Sequence, residues 1–247
     1  MKKNLESILE TKFTSSYVSW KDWGHNFANL KKNQYAYYKA EIRRSKHKFQ
    51  AYSDVLEIGF GNGSFLNYAK QMHWNIKGTE MNIDLVNLAK SNNFDVLHTD
   101  NLSTFADNKF DLVVAFDVLE HIPEDKLIDF MLEIKRVLVF DGIFIARFPN
   151  GDSPFGLKIQ NGDFTHISSI GSGKVFSLES ITNMKLIFLG GEAQPIIGTN
   201  ILNFSHKILA LPIKFILNFI ICLIFFPREK VDFTSSNLSA IFKKVKY

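Results

Sequence analysis

The spacing of apolar residues changes several times along the chain, and each change marks an element. Val55, Leu56 and Ile58 are strand formers that run straight into three closely spaced glycines, Gly59, Gly61 and Gly63. The segment from Ser64 to Gln71 then has helical composition, so the stretch reads as strand, glycine turn and helix N-terminus. A second short strand is expected over 75–79, ending on Glu80, and a third over 95–99, ending on Asp100 and Asn101. Residues 110–116 form a nearly unbroken apolar run, the pattern of a parallel strand covered on both faces. Helical composition from Glu124 to Val139 overlaps, at Leu138, a glycine turn and fifth strand ending at Pro149. Beyond it a helix is expected to open at Ser177 with a partial capping box, because Ser180 stands where Glu would complete it. Strand patterns at 185–190 and 238–246 follow.

Two stretches break this alternation. Residues 1–50 are polar and aromatic-rich, and 33–44 have the composition of a helix placed ahead of the first strand. From Ile208 to Phe226 the chain is almost wholly apolar, interrupted by Pro212, Lys214 and Asn218 and bracketed by Lys207, Arg228 and Lys230.

Chemistry is expected at the glycine turn. Without a Cβ its backbone takes positive φ and approaches a ligand closely, and the helix start presents free N–H groups. Glu57 lies two positions before the first glycine. A carboxylate aimed into the turn repels a pyrophosphate and attracts a cation, which favours a positively charged cofactor. The dinucleotide fingerprint would place its third glycine at position 64, where this chain has Ser64. Glu80, about 20 residues past the turn, stands where nucleotide-binding βαβ units hold ribose hydroxyls. Asp100 and Asn101 have side chains able to accept from an adenine amino group and to donate to a ring nitrogen.

The pattern Glu57-x-Gly59-x-Gly61-x-Gly63 resembles motif I of the class I S-adenosylmethionine-dependent methyltransferases. The strip from Phe110 to Pro123, with Asp117-Val-Leu-Glu-His121 inside it, is similar to the corresponding region of small-molecule members, and 138–149 resembles their glycine turn and fifth strand. The resemblance runs motif by motif from Asp54 to Asn150. It implies S-adenosyl-L-methionine as cofactor and an α/β fold: a doubly wound, mostly parallel seven-stranded sheet with an antiparallel C-terminal strand. It also implies an N-terminal helical cap over 1–50 and a methyltransferase domain over 51–247, with a hydrophobic helical insertion at 193–236. By motif position, Glu57, Gly59, Phe60, Gly61 and Gly63 would hold the amino-acid portion of the cofactor, Glu80 with Met81 beside it the ribose, and Asp100 and Asn101 the adenine. Asp117 would lie under the methyl group. Trp20, Trp23, Tyr35, Tyr37 and Tyr38 are candidates for an aromatic lid, with packing on the sheet as the simpler role for any one of them.

For transfer to a hydroxyl or amine, a base takes a proton as the methyl carbon is attacked, and histidine has the pKa for it. His166, on a turn-rich loop with Asp163, is the first candidate and His121 the second; the Asp-Phe-Thr-His loop resembles one that closes over substrate in related enzymes. The acceptor is expected to be a small or lipid-linked molecule, such as a sugar, methylated on oxygen. The overall shape resembles enzymes associated with bacterial surface-glycan biosynthesis. An NAD(P)-dependent oxidoreductase is disfavoured by Glu57, Ser64 and the absence of a Tyr-x-x-x-Lys pair, and a non-catalytic cofactor-binding scaffold is the third reading. No metal is expected, because no His/Cys/Asp cluster has ligand spacing.

Charge and composition refine the picture. The net charge of +4 hides +7 over residues 1–50, +5 over 207–247 and −8 between them. An acidic middle argues against nucleic acid as partner, while basic flanks suit an anionic membrane surface. One cysteine, Cys222, and a polar N-terminus point to the cytoplasm. A proline and a lysine inside the apolar stretch, and a last strand that must return to the sheet, favour a helix lying in the membrane plane at the inner face over one that crosses. Burial of that helix in a homodimer is the alternative.

Overall fold

The computed structural model describes residues 26–196, 201–227 and 231–246. Trp20, Trp23, Arg228 and Lys230 lie outside them. Helix α1 (Lys32–Arg44) precedes β1 (Asp54–Ile58), which leads through the glycine turn into α2 (Ser64–Gln71), β2 (Asn75–Glu80), α3 (Ile83–Ser91) and β3 (Val96–His98). The second half runs β4 (Phe110–Phe116), α4 (Leu127–Val137), β5 (Leu138–Pro149), α5 (Pro154–Gln160), α6 (Ser172–Thr182) and β6 (Lys185–Gly191). The long helix α7 (Ile201–Phe225) then separates β6 from β7 (Asn237–Lys243).

These strands form one sheet in the order β3-β2-β1-β4-β5-β7-β6. Strands β1 to β5 pair in parallel and β7 runs antiparallel to both β5 and β6. The expected doubly wound, mostly parallel sheet with an antiparallel C-terminal strand is therefore observed. Strand order reverses between β1 and β4, and in such sheets ligands bind at that reversal, beyond the carboxyl ends of the strands.

The sheet buries both faces. Phe110, Val113 and Ala115 of β4 join one core with Met131, Ile134 and Val137 of α4, whereas Leu112 and Val114 join another with Tyr38, Ile42, Phe65 and Tyr68 of α1 and α2. That double coverage is why β4 reads as an unbroken apolar run. Buried Glu41 ties α1 down: it accepts from Ala193 N at 2.5 Å and Ser239 Oγ at 2.9 Å and pairs with Arg44.

Several expected boundaries move. The helix expected over Glu124–Val139 opens with a 3-10 turn and ends at Val137, because Leu138 already pairs with Phe110 in the sheet. A register slip follows, with Asp141 at positive φ, before Leu112 faces Ile143. Strand β3 keeps only three residues, and β7 stops at Lys243. Helix α6 opens at Ser172, five residues earlier than expected, and Ser177 lies inside it, donating to Gly173 O at 3.0 Å. The cap comes from elsewhere in the chain: Asp152 accepts from Ser172 N at 2.7 Å, a tertiary contact that local spacing does not reveal.

Helix α7 reverses the usual amphipathic arrangement. Lys207 donates to Pro195 O, Asn218 bonds both Val231 O and Phe233 N, and Cys222 reaches Val231 O. These residues, with Leu211 and Lys214 between them, recur every three or four positions and form one stripe facing the domain. Ile213, Ile216, Phe219, Ile220, Leu223 and Ile224 point to solvent. The stretch Phe204–Phe225 has a mean hydropathy of 2.5 and is long enough to cross a membrane by length and composition.

Candidate active site

The glycine turn takes the left-handed backbone that its composition allows without strain. Gly59, Gly61 and Gly63 take φ of 65°, 49° and 72°. A Cβ on Gly59 would lie 2.7 Å from Val118 Cγ2, and one on Gly63 would lie 2.6 Å from the Phe27 ring. Gly63 therefore shapes the turn and the start of α2 without lining the cavity above it. Phe60 turns its ring into the core beside Leu66, Leu85 and Val96. Ser64 has its own reason to replace glycine: its hydroxyl lies 2.6 Å from the Tyr38 hydroxyl and anchors α1 to the turn. Burial pushes that phenol up to about 12.

Glu57 sits beneath the turn, 4% exposed. One carboxylate interaction is with the backbone N–H of Leu66 in α2, while Oε2 is buried without a partner. Burial, reinforced by Glu80 and opposed by that N–H, raises its pKa well above the ordinary carboxylate value. Glu80, at the end of β2, accepts from Gly61 N at 3.1 Å and from Met81 N and Asn82 N at 2.7 and 2.9 Å, which locks the β2 end to the turn. Asn101 spends its side-chain oxygen on Ser103 N at 2.8 Å, capping a 3-10 turn, while Asp100 is exposed on the cavity rim. Met81 and Asn101 line the same rim.

Asp117 follows β4 at a φ of 59°, unusual for a residue with a Cβ. Its carboxylate is forked by Arg147 Nε at 2.8 Å and by Nη2. Burial works against the Arg147 charge, but Asp117, Tyr37 and Glu192 outweigh it and hold the guanidinium above its ordinary value. Arg147 lies over the Tyr37 and Phe116 rings, 5.1 and 5.6 Å from their centroids. This Arg147 partner of Asp117 was not foreseen. Of the candidate lid residues, Tyr37 and Tyr38 line the cavity, whereas Tyr35 packs against Tyr68.

Beyond Asp117, the chain brings together side chains from two segments. The 3-10 turn Leu119–His121 carries Glu120 and His121, and the loop between α5 and α6 carries Asp163 and His166. Ile167 N and Ser168 N donate to Glu120 O at 2.9 and 3.0 Å, stitching loop to turn. His121 Nδ1 lies 3.1 Å from Thr165 O, and the His121 and His166 rings are 4.7 Å apart, nearly perpendicular. His166 Nε2 is 4.0 Å from Glu120 Oε1 and 3.9 Å from Asp163 Oδ2. Asp163 does not reach the cavity; its Oδ1 accepts from Thr165 N and Oγ1 and shapes the loop under His166. Burial, then Asp117, raises Glu120 to about 8, and burial with His166 lowers His121. Glu120 was not singled out in the sequence, where it reads as one charge inside an apolar strip.

One cavity of about 1200 Å³ connects these parts, lined by Glu57, Gly59, Gly61, Glu80, Asp100, Asp117, Glu120, His121 and His166 among others. An unpartnered carboxylate oxygen on Glu57, beneath a turn in which every second residue is glycine, fits a ligand that carries positive charge.

Residues 56–146 match the model of a family described as the methyltransferase domain. No curated relative matches the chain in sequence. Among solved structures, a S-adenosylmethionine-dependent methyltransferase of Archaeoglobus fulgidus is similar at 20% identity, with a TM-score of 0.62 over 84% of this chain and 93% of that one. Another, from Mesorhizobium loti, is 12% identical with a TM-score of 0.59 over 84% and 97%. The 1,6-didemethyltoxoflavin-N1-methyltransferase of Burkholderia thailandensis, with bound S-adenosylhomocysteine, is 14% identical with a TM-score of 0.58 over 100% and 91%. At these identities the likeness is one of fold. With the match over 56–146 it supports a S-adenosylmethionine-dependent methyltransferase.

Proposed function

We propose that this methyltransferase moves the methyl group of S-adenosyl-L-methionine to an oxygen of a small or lipid-linked acceptor, such as a sugar, held at the Glu120–His121–His166 end of the cavity. The carrying observation is continuity: a single hollow is lined by the glycine turn and by the histidine pair. Its volume exceeds the roughly 300–1,000 Å³ of a typical ligand pocket, which leaves room for two molecules. Bound cofactor supplies a sulfonium methyl carbon open to in-line displacement. The chain's task is to align the acceptor with that carbon and to exclude water. The turn and Glu57 hold the amino-acid portion, Glu80 and Asp100 the adenosyl edge, and Tyr37 and Tyr38 cover the site from α1. In this reading His166 or His121 takes the acceptor proton, and Asp163 shapes the loop that carries His166, accepting from His166 N through its backbone carbonyl at 3.2 Å. The test is labelled methyl transfer to extracted polar lipids and soluble glycosides, with mass spectrometry locating the methyl. Methyl on nitrogen contradicts oxygen transfer. Tight cofactor binding with no acceptor consumed favours the scaffold reading.

The same reading extends to a membrane. Helix α7 turns its polar stripe to the domain and its apolar residues outward, and its attachments at Lys207 and Asn218 hold it alongside the domain. That arrangement suits a helix lying in the inner face of the cytoplasmic membrane, beside basic flanks, where a lipid-linked acceptor would be at hand. Flotation with phosphatidylserine vesicles is expected for the intact chain and lost on Phe219→Asp with Leu223→Asp. Equal flotation of the variant excludes the idea, and a dimer in sedimentation without flotation replaces it with a subunit interface.

A further inference from the structure

Glu120, His121 and His166 each offer one ligand atom, and these atoms lie within 4.8 Å of one another. We propose that they bind a divalent first-row transition-metal ion, with open coordination positions facing the cavity for the acceptor's oxygens. The proposal rests on the methyl-transfer reading of this cavity and deepens it: two vicinal oxygens, as in a diol, would be the favoured acceptor group.

Three observations carry the site. Glu120 is 1% exposed, and neither carboxylate oxygen has a hydrogen-bond partner. A buried polar group left in that condition is costly unless something else binds it. His121 Nδ1 meets a backbone carbonyl, Thr165 O, so a proton on Nδ1 leaves the Nε2 lone pair free, which is how protein carbonyls commonly orient a ligating imidazole. The spacing decides between a metal site and a plain acid-base pair. At 4.0 Å, Glu120 Oε1 and His166 Nε2 are too far apart to hydrogen-bond. They are near the separation of about 3.4 Å between two ligands of one tetrahedral ion. Two imidazoles whose rings lie 4.7 Å apart also disfavour double protonation, and the neutral ring is the ligating form.

Two nitrogens and one carboxylate, with positions left open, suit zinc, manganese, iron or cobalt better than calcium or magnesium. Such an ion would ionise an acceptor hydroxyl at neutral pH. The O–H bond breaks and its proton passes to solvent; the oxygen pair then forms the C–O bond as the C–S bond breaks and leaves its electrons on sulfur. In this arrangement the histidines act as ligands, and the ion does the work for which an imidazole base was invoked.

Cobalt(II) alone is the probe. Equilibrium dialysis and visible absorption are expected to show one equivalent bound to the intact chain. Glu120→Gln, His121→Gln and His166→Gln should each bind about 100-fold or more weakly, with S-adenosylhomocysteine affinity in calorimetry certifying the fold. No cobalt retained by the intact chain overturns the site, as does retention undiminished in all three variants, which would mark binding at other histidines. Should the variants fail to fold, spin-echo spectroscopy of the manganese(II)-loaded intact chain decides: two imidazole nitrogens are expected, and none overturns the proposal. Full methyl transfer by chelator-treated, ion-free protein removes the metal and leaves the methyltransferase reading standing. Bound cobalt without transfer to any acceptor does the reverse.

Discussion

The two ends of the cavity are built by opposite means. The end proposed for the cofactor is one contiguous stretch, 57–64, which offers main-chain N–H groups and positive φ values, with carboxylates packed against it. The end proposed for the acceptor is a set of side chains gathered from a 3-10 turn and a distant loop, where main chain serves only to hold them in place. A backbone site must be encoded in neighbouring residues, because each φ and each N–H direction depends on them. A side-chain site has no such constraint. The two buried carboxylates differ in degree: by hydrogen-bond geometry one oxygen of Glu57 and both oxygens of Glu120 are left without a partner.

Independence of the two ends can be broken by mutation. His166→Ala should lower kcat by about 10²–10⁴ while S-adenosylhomocysteine affinity stays within about threefold; parallel loss of both would mean the ends are one unit. Gly59→Val comes next, since it places a side chain at positive φ and 2.7 Å from Val118. Thermal or urea unfolding should show a loss of about 2–5 kcal/mol, and Val118→Ala should restore only the steric part. Val118 lies between the turn and Glu120, so this pair also measures how far the ends communicate.

Glu57→Gln should weaken S-adenosylmethionine binding about 10- to 100-fold in calorimetry, the range of a charged hydrogen bond of about 1.5–3 kcal/mol. Its effect on the cofactor-free chain has the opposite sign. Because folding raises the Glu57 pKa, the associated stability is complete below the unfolded value and is lost as pH climbs through the folded one. The variant's melting temperature relative to the parent should therefore rise between pH 5 and 8; a constant difference would place the charge elsewhere. The smallest effect is expected for Ser64→Gly, which removes the hydroxyl partner of Tyr38 and should cost about 0.5–1.5 kcal/mol. Unchanged cofactor affinity in that variant would confirm that Ser64 holds α1 and has no direct part in the turn.

Sequence pattern carried further at the cofactor end for the same physical reason. The turn, its Glu57, the strand end at Glu80 and the position of Asp100 just past β3 follow from period and composition. The doubly wound, mostly parallel sheet entered with the family resemblance, and its strand order is a tertiary fact that strand–helix alternation leaves open, the more so because only a 3-10 turn separates β3 from β4. Asp117 was visible as a position but not as the partner of Arg147, which lies one strand away in β5. Glu120 gave no signal, because an acid inside an apolar strip looks alike whether it faces solvent or is sealed under a loop. The α6 cap, the register slip in β5 and the inward polar stripe of α7 are likewise tertiary facts. Asn218 reads as an interruption of an apolar run and Cys222 as part of it until the return segment at Val231 and Phe233 is seen against them.

A crystal structure with S-adenosylhomocysteine bound tests the central claim most directly. The adenosyl group should lie along Glu80 and Asp100, with the homocysteine portion over the glycine turn and its sulfur facing the space before His121 and His166. Ligand density elsewhere, or a sulfur walled off from the two histidines, would contradict it.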